Sequence, residues 1–321
     1  MKQHYLPEVY LREFINDQGK LHTLDINLRR HRKEVFDQER YPAEVCRNKN
    51  FYNIKPTYAK SHKELANLKE LFLEEQFGLY ESKYPRLVNK IKTGQNYLLK
   101  EDARLLIYIL FDLKLRNKYF RDTTVSGLRE KVFDELADDY ETLIEDANKA
   151  GIPGVNKEIL LAALDVERKR HLADDEFPDK THVASLSKRK TSKDSVYEFV
   201  IDHLMQFEWL ILQSDQQFIT SDNPGVSIDK KGVVQNTKFD NDFFFIMPLT
   251  PSICIGISPT APDTKFSNTI GKKLLTYGKA PKEMVDLINE FHGYHLSQYI
   301  FANNKELIDR IAGIINSNPL P

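Results

Sequence analysis

Three charged side chains fall where helical periodicity calls for apolar ones. From Ser61 onward, Leu65, Leu68, Phe72 and Leu79 recur at helical spacing, and Glu75 lies inside that stripe. Glu81 comes four residues after Phe77 and seven before Val88, so it shares their face. Arg116 extends the Ile109/Leu113 face of a second helix by one turn, with Asp112 at its border. An inward carboxylate or guanidinium costs on the order of several kcal/mol unless it is paired. Such groups either form one buried Glu–Arg pair tethering two helices, or line a polar pocket where perturbed groups act as acids and bases.

A second constellation is Thr220-Ser221-Asp222-Asn223-Pro224, which follows the apolar pair Phe218-Ile219. Asp-Asn-Pro initiates turns by itself, and a strand end carrying Asp and Asn also presents a carboxylate and an amide to a ligand or cation. Of the nine histidines, His292 and His295 are three apart on one helix, but no HExxH or third ligand at metal spacing accompanies them. His203, on an apolar helix face, reads as a core residue. His4-Tyr5 opens an aromatic-rich terminus, which must be tied down to stay ordered. Lys188-Arg189-Lys190 reads as a solvated loop rather than a phosphate patch. The phosphate-binding and nucleophile-elbow signatures GxGxxG, GxxxxGK[ST] and GxSxG do not occur.

Across 321 residues, 46 basic side chains balance 47 acidic ones, so any affinity for nucleic acid must come from a local patch. No run approaches the roughly 20 apolar residues of a membrane span. Met1–Arg12 lacks the apolar core of a signal peptide, and Cys46 and Cys254 stand far apart, outside any CxxC pair. These features predict a cytoplasmic protein with reduced thiols and no membrane partner.

The elements that must position these residues follow an α+β order. The fold is expected to be predominantly helical, with a small, mostly antiparallel sheet in the C-terminal third. Helices are predicted from Ser61, bent at Pro85, and near 101–117, 123–149, 156–172, 194–212, 281–297 and 304–316. A strand is predicted within Leu21–Leu28. After Asp215 the period changes to two, giving strands at 217–221, 226–228, 233–234, 243–249 and 253–257, with a hairpin turn at Asp229–Gly232. The chain reads as one domain, 1–321, divisible into a helical part (1–172) and a sheet-containing part (194–321) joined by a polar linker (173–193).

The opening Gln3-His4-Tyr5-Leu6-Pro7-Glu8-Val9-Tyr10-Leu11-Arg12-Glu13-Phe14 resembles the HYxPxxYLxxF start of the bacterial family called domain of unknown function 4238. Phe51-Tyr52, Glu75 and Glu81, Leu115-Arg116 with Arg121, Phe218–Pro224, Pro248–Pro251 and Asn289 resemble its later motifs in order. Gly225 departs from the aliphatic residue expected there and is expected to loosen the following strand. The resemblance implies that His4, Tyr5, Arg12, Glu81, Arg116, Asp222 and Asn223 converge. One functional expectation is a hydrolase of a phosphodiester or nucleotide, a nuclease-like effector. His4 would then be the general acid or base, and Glu81 and Asp222 would orient water or a divalent cation such as Mg²⁺ or Mn²⁺. Arg12 and Arg116 would hold phosphate oxygens, with Tyr5, Arg121 and Asn223 completing the substrate contacts. An alternative is a non-catalytic module binding a small anion, a nucleic acid or a protein partner. A third reading makes the same residues a buried network that docks the N-terminal segment.

Overall fold

The computed structural model describes residues 2–31, 33–191, 196–229, 231–236, 243–258 and 271–317. Lys230 of the expected hairpin turn, and residues 192–195 between the expected linker and helix, lie outside the described residues. The architecture is α+β. In chain order the strands are β1 (Lys2–His4), β2 (Leu21–Asp25), β3 (Gln38–Arg40), β4 (Arg47–Lys49), β5 (Tyr97–Leu99), β6 (Glu208–Gln213) and β7 (Thr220–Ser221). There follow β8 (Val226–Asp229), β9 (Val234–Gln235), β10 (Phe243–Thr250), β11 (Ile253–Ser258), β12 (Lys272–Leu274), β13 (Thr276–Lys279) and β14 (Tyr299–Ala302).

The largest sheet has the order β13-β6-β11-β10-β8-β9 and is antiparallel except for the β13–β6 pair. Its centre is β10, Phe243 to Thr250, buried at every position but Phe244, as befits a strand covered on both faces. A second sheet, β3-β2-β14-β7, joins the N-terminal quarter of the chain to its C-terminal end. The strands are therefore not confined to the last third, because β1–β5 all lie in the first third of the chain.

Two boundaries differ from expectation for physical reasons. The helix expected at 194–212 stops at Gln206, and Glu208–Gln213 forms a strand. Trp209, Leu210, Ile211 and Leu212 pack as a strand between β11 and β13, and this tertiary pairing overrides the helical period. The polar stretch expected as a linker is instead the helix Phe177–Thr191, which buries His182, Val183, Ala184, Leu186, Ser187 and Arg189. One apolar cluster runs from Tyr5 to Phe301 and draws residues from both sides of that helix.

Polarity misled there because the buried charges have partners. Asp112 accepts from Arg189 at 2.8 Å, from Lys190 at 2.6 Å and from the Tyr197 hydroxyl at 2.9 Å. Lys190 lies over the Tyr108 ring at 3.9 Å and the Tyr80 ring at 4.8 Å. Burial lowers its pKa to about 8, against the pull of Asp112. The Lys188-Arg189-Lys190 run is thus a helix end whose last two cations point into the core, not a solvated loop. Asp112→Ala leaves those two cations without their carboxylate. The expected cost is about 3–5 kcal/mol, read as a lowered urea midpoint, and Asp112→Asn should recover part of it.

Candidate functional site

The Phe72–Glu81 helix buries Leu73 and Phe77 and leaves Leu79 57% exposed. Its inward face is thus turned by about one residue from the expected stripe, since Leu73 and Phe77 make a better-packed pair. Glu75 consequently faces solvent, while Glu74 and Glu81 lie within the field of Arg116. Arg116 caps the Lys100–Leu115 helix and is 3% exposed. Its Nη1 donates to Glu81 Oε1 at 2.6 Å and its Nη2 to the His4 carbonyl at 2.9 Å. Its own carbonyl accepts from the Tyr52 hydroxyl at 2.6 Å, and its guanidinium stacks 4.1 Å from the Phe77 ring centre. Burial alone would lower its pKa, but the Glu81 carboxylate outweighs that and holds the charge on. The Glu–Arg pair foreseen from the helical faces is therefore present, with Glu81 as its acid.

His4 ends β1, which pairs with β4 so that Lys2 faces Lys49, Gln3 faces Asn48 and His4 faces Arg47. Gln3 points inward, bonding Asn53 at 2.9 Å and the Tyr52 N–H at 2.7 Å. His4 lies on the opposite face, half-buried. It bonds the Ala43 backbone through one ring nitrogen, while Nε2 is buried and meets no hydrogen-bond partner among the described residues. Desolvation lowers its pKa; the Ala43 bond and Glu8 oppose that shift, and Arg47 adds to it. The neutral imidazole is therefore favoured more than in an exposed histidine, and its buried Nε2 has no described partner.

The remaining predicted residues occupy different surroundings. Tyr5 is buried between Cys46 and Asp222, and burial raises its hydroxyl far above the ordinary range. Arg12 is exposed and pairs with Glu8 one turn back at 2.5 Å. Arg121 sits in a π-helical turn, Phe120–Val125, and pairs with Asp122 at 2.7 Å and Asp179 at 3.0 Å. Neither arginine joins the Glu81–Arg116 pair.

Asp222 and Asn223 face inward and are saturated. The two Asp222 oxygens accept from the Ser297 N–H at 2.9 Å and the Gln298 N–H at 2.7 Å. Burial pushes its carboxyl up to about 6, against those backbone bonds. Asn223 Oδ1 accepts from Lys114 and Asn117, both at 2.8 Å, and its amide donates to the His295 carbonyl at 2.6 Å and Asn236 at 2.7 Å. Gly225 holds φ at +77°, and a Cβ there would come 3.0 Å from the Ile246 carbonyl oxygen. The departure at Gly225 is thus a tight fit rather than a loosening. Its N–H donates to His292 Nε2 at 3.1 Å and its carbonyl accepts from Lys114 at 2.6 Å. His292 is a buried acceptor in this turn, and its Nδ1 is spent on the Ile288 carbonyl at 2.7 Å. Asn289 holds the preceding strand by two backbone bonds, to the Ile219 N–H and the Gln217 carbonyl, each at 2.9 Å.

Among the described residues no group of three or more His, Cys, Asp or Glu side chains is arranged to hold a metal ion, and no helix is long and apolar enough to cross a membrane. Sequence reasoning missed Arg47, Glu74, Lys114 and Asn117. Lys114 was within reach, because it follows Leu106 and Leu110 at four-residue steps on a buried helix. Arg47 was not, because only the β1–β4 register brings it beside His4.

These motifs and their buried partners define a protein built around an anchored N-terminal segment. The chain belongs to the family described as Protein of unknown function (DUF4238), whose sequence profile matches residues 2–306. No curated protein and no solved structure gives a match to the chain.

Acid should test the inner network. His292 and His182 have pKa values lowered to about 4 and about 3, mainly by burial, against an ordinary 6.5. The unfolded chain therefore binds more protons as pH falls below 6.5, so their contribution is present above that pH and is lost on acidification. Asp222 has the opposite sign: its contribution is full below its ordinary 3.8 and is lost as pH rises through about 6. Two histidines against one carboxyl predict a net loss of stability between pH 6.5 and 4. His292→Gln should remove about 3 kcal/mol of that dependence in urea unfolding. Superimposable pH profiles for the two proteins would refute the assignment.

Proposed function

We propose that this protein acts on a phosphodiester or nucleotide, with His4 as the general acid or base. One observation carries the reading. His4 meets the Ala43 backbone and feels the charges of Glu8, Arg47 and Glu81, and its buried Nε2 has no described partner. An imidazole whose one nitrogen is fixed by a carbonyl and whose other is unpaired has the geometry of a base awaiting a proton. Arg47 stands directly opposite His4 in the ribbon and forms no described ion pair, so it can meet an anionic oxygen. Arg116 serves the site at one remove, fixing Glu81 and the His4 main chain. In this reading Asp222 and Asn223 support the turn and do not touch substrate, because both are buried against the backbone of residues 295–298. Any divalent cation would be brought by the substrate's phosphates rather than held by a carboxylate cluster. The free, buried thiols Cys46 and Cys254 support a reducing, cytoplasmic setting.

The shielding of His4 Nε2 favours a second reading, in which Arg47 beside His4 binds an anion without turnover. Incubation with RNA, DNA, nucleotides and a chromogenic phosphodiester separates the two. Catalysis by neutral His4 predicts kcat/KM rising with pH to a plateau, with a midpoint below 6.5. Arg47→Gln should move that midpoint upward, since the Arg47 charge opposes protonation of His4, and Glu81→Gln should move it downward. A folded His4→Gln protein should lose at least about a hundredfold in rate. No turnover, with a thermal shift that His4→Gln abolishes, would replace the hydrolase with the binding module.

A further inference from the structure

We infer that the outer face of the β1–β4 ribbon binds the sugar-phosphate backbone of a single-stranded polynucleotide. This deepens the hydrolase reading by naming its substrate class, and rests on that reading only for cleavage. The register sets Lys2 opposite Lys49 and His4 opposite Arg47. Directly opposed residues share a face, and so do residues two apart, so all four side chains stand on one side. Gln3, on the other side, is fully buried, which fixes the basic side as the outer one.

Like charges directly opposed in a ribbon destabilise it. Here one such rung, Lys2 opposite Lys49, is followed at about 6.6 Å by a third cation, Arg47, opposite the imidazole of His4. Lys2 and Lys49 are exposed, and no described ion pair neutralises Lys2, Arg47 or Lys49. The acids nearest His4 do not cancel this charge, because Glu8 is taken by Arg12 at 2.5 Å and Glu81 by Arg116 at 2.6 Å. In a chain of 46 basic and 47 acidic side chains, the ladder is a local feature of the kind a polyanion recognises. It leads to the half-buried His4. A flexible single strand can bend one phosphate toward that residue, whereas a stacked duplex keeps its phosphates along a stiff rod. The shared ligand chemistry is a chain of phosphodiesters, from RNA or DNA.

The test is fluorescence anisotropy with single-stranded RNA, single-stranded DNA and a duplex of the same sequence, between 50 and 300 mM salt. Single strands should bind and the duplex should bind at least about tenfold more weakly. Both strands binding alike indicates backbone recognition, and a preference for RNA adds a 2′-hydroxyl contact; both support the proposal. Lys2→Gln/Lys49→Gln should flatten the slope of log Kd against log salt by about 1.4, the release of two counterions from a single strand. An unchanged slope in the folded double variant, or equal binding of the duplex, overturns the proposal. Wild-type turnover of bis(4-nitrophenyl) phosphate, too small to span the ladder, reads the His4 chemistry separately. Oligonucleotide binding without that turnover retires the hydrolase and keeps the ribbon. Turnover without oligonucleotide binding overturns the ribbon and keeps the hydrolase.

Discussion

A buried guanidinium must be given a counter-charge and acceptors where it sits, and in this fold that requirement falls on Arg116. Its two terminal nitrogens reach an acid on one helix and the main chain of the first strand. Removing either partner from a buried pair leaves a charge in a poorly polarisable interior, at a cost of about 3–5 kcal/mol. The end of the Lys100–Leu115 helix, the start of the chain and the Glu81 carboxylate are therefore fixed relative to one another. His4 inherits its position from that arrangement, because its own carbonyl is one of the acceptors.

The next residue repeats the device on the opposite side. Asn117 donates to Asn223 at 2.8 Å and accepts from the Phe120 N–H at 2.8 Å, so the same helix end also grips the Asp-Asn turn. Lys114, one turn earlier, reaches Asn223, Gly225 and Asn236 with no carboxylate among these partners, and burial depresses its pKa strongly. Asp112 collects Arg189 and Lys190 beyond that. Four polar stations, Asp112 and Lys114 in the helix and Arg116 and Asn117 at its end, thus tie together the N-terminal ribbon, the Phe177–Thr191 helix and the Asp-Asn turn. Each station is specific in geometry, since an unsatisfied buried donor or acceptor costs about 1–3 kcal/mol.

The legible parts of the sequence were those where a charge interrupted a regular apolar pattern. Arg116 and Glu81 announced themselves by sitting on inward faces, and they pair. The phase of the Phe72–Glu81 helix was not legible, because its sequence carries apolar residues around much of its circumference; Glu74 and Glu75 exchanged places as a result. The Phe177–Thr191 helix looked like a linker because nothing local reveals that Arg189 and Lys190 will meet Asp112. Asp222 and Asn223 were visible as a special turn, but their inward direction depends on the backbone of residues 295–298, more than seventy positions away. The ribbon was least accessible of all. Three-residue strands carry almost no periodic signal, and their register alone makes Arg47 a neighbour of His4.

The central claim is that folding sets the His4 ring against the Ala43 backbone, lowers its pKa and leaves Nε2 without a partner. Nitrogen-15 NMR of the imidazole across pH 4 to 8 reads this directly, since the two ring nitrogens report tautomer and protonation separately. The account predicts a titration midpoint below 6.5, a protonated Nδ1 in the neutral form, and a change confined to Nε2 when an oligonucleotide is added. A midpoint at or above 6.5, or a neutral form carrying its proton on Nε2, would contradict it.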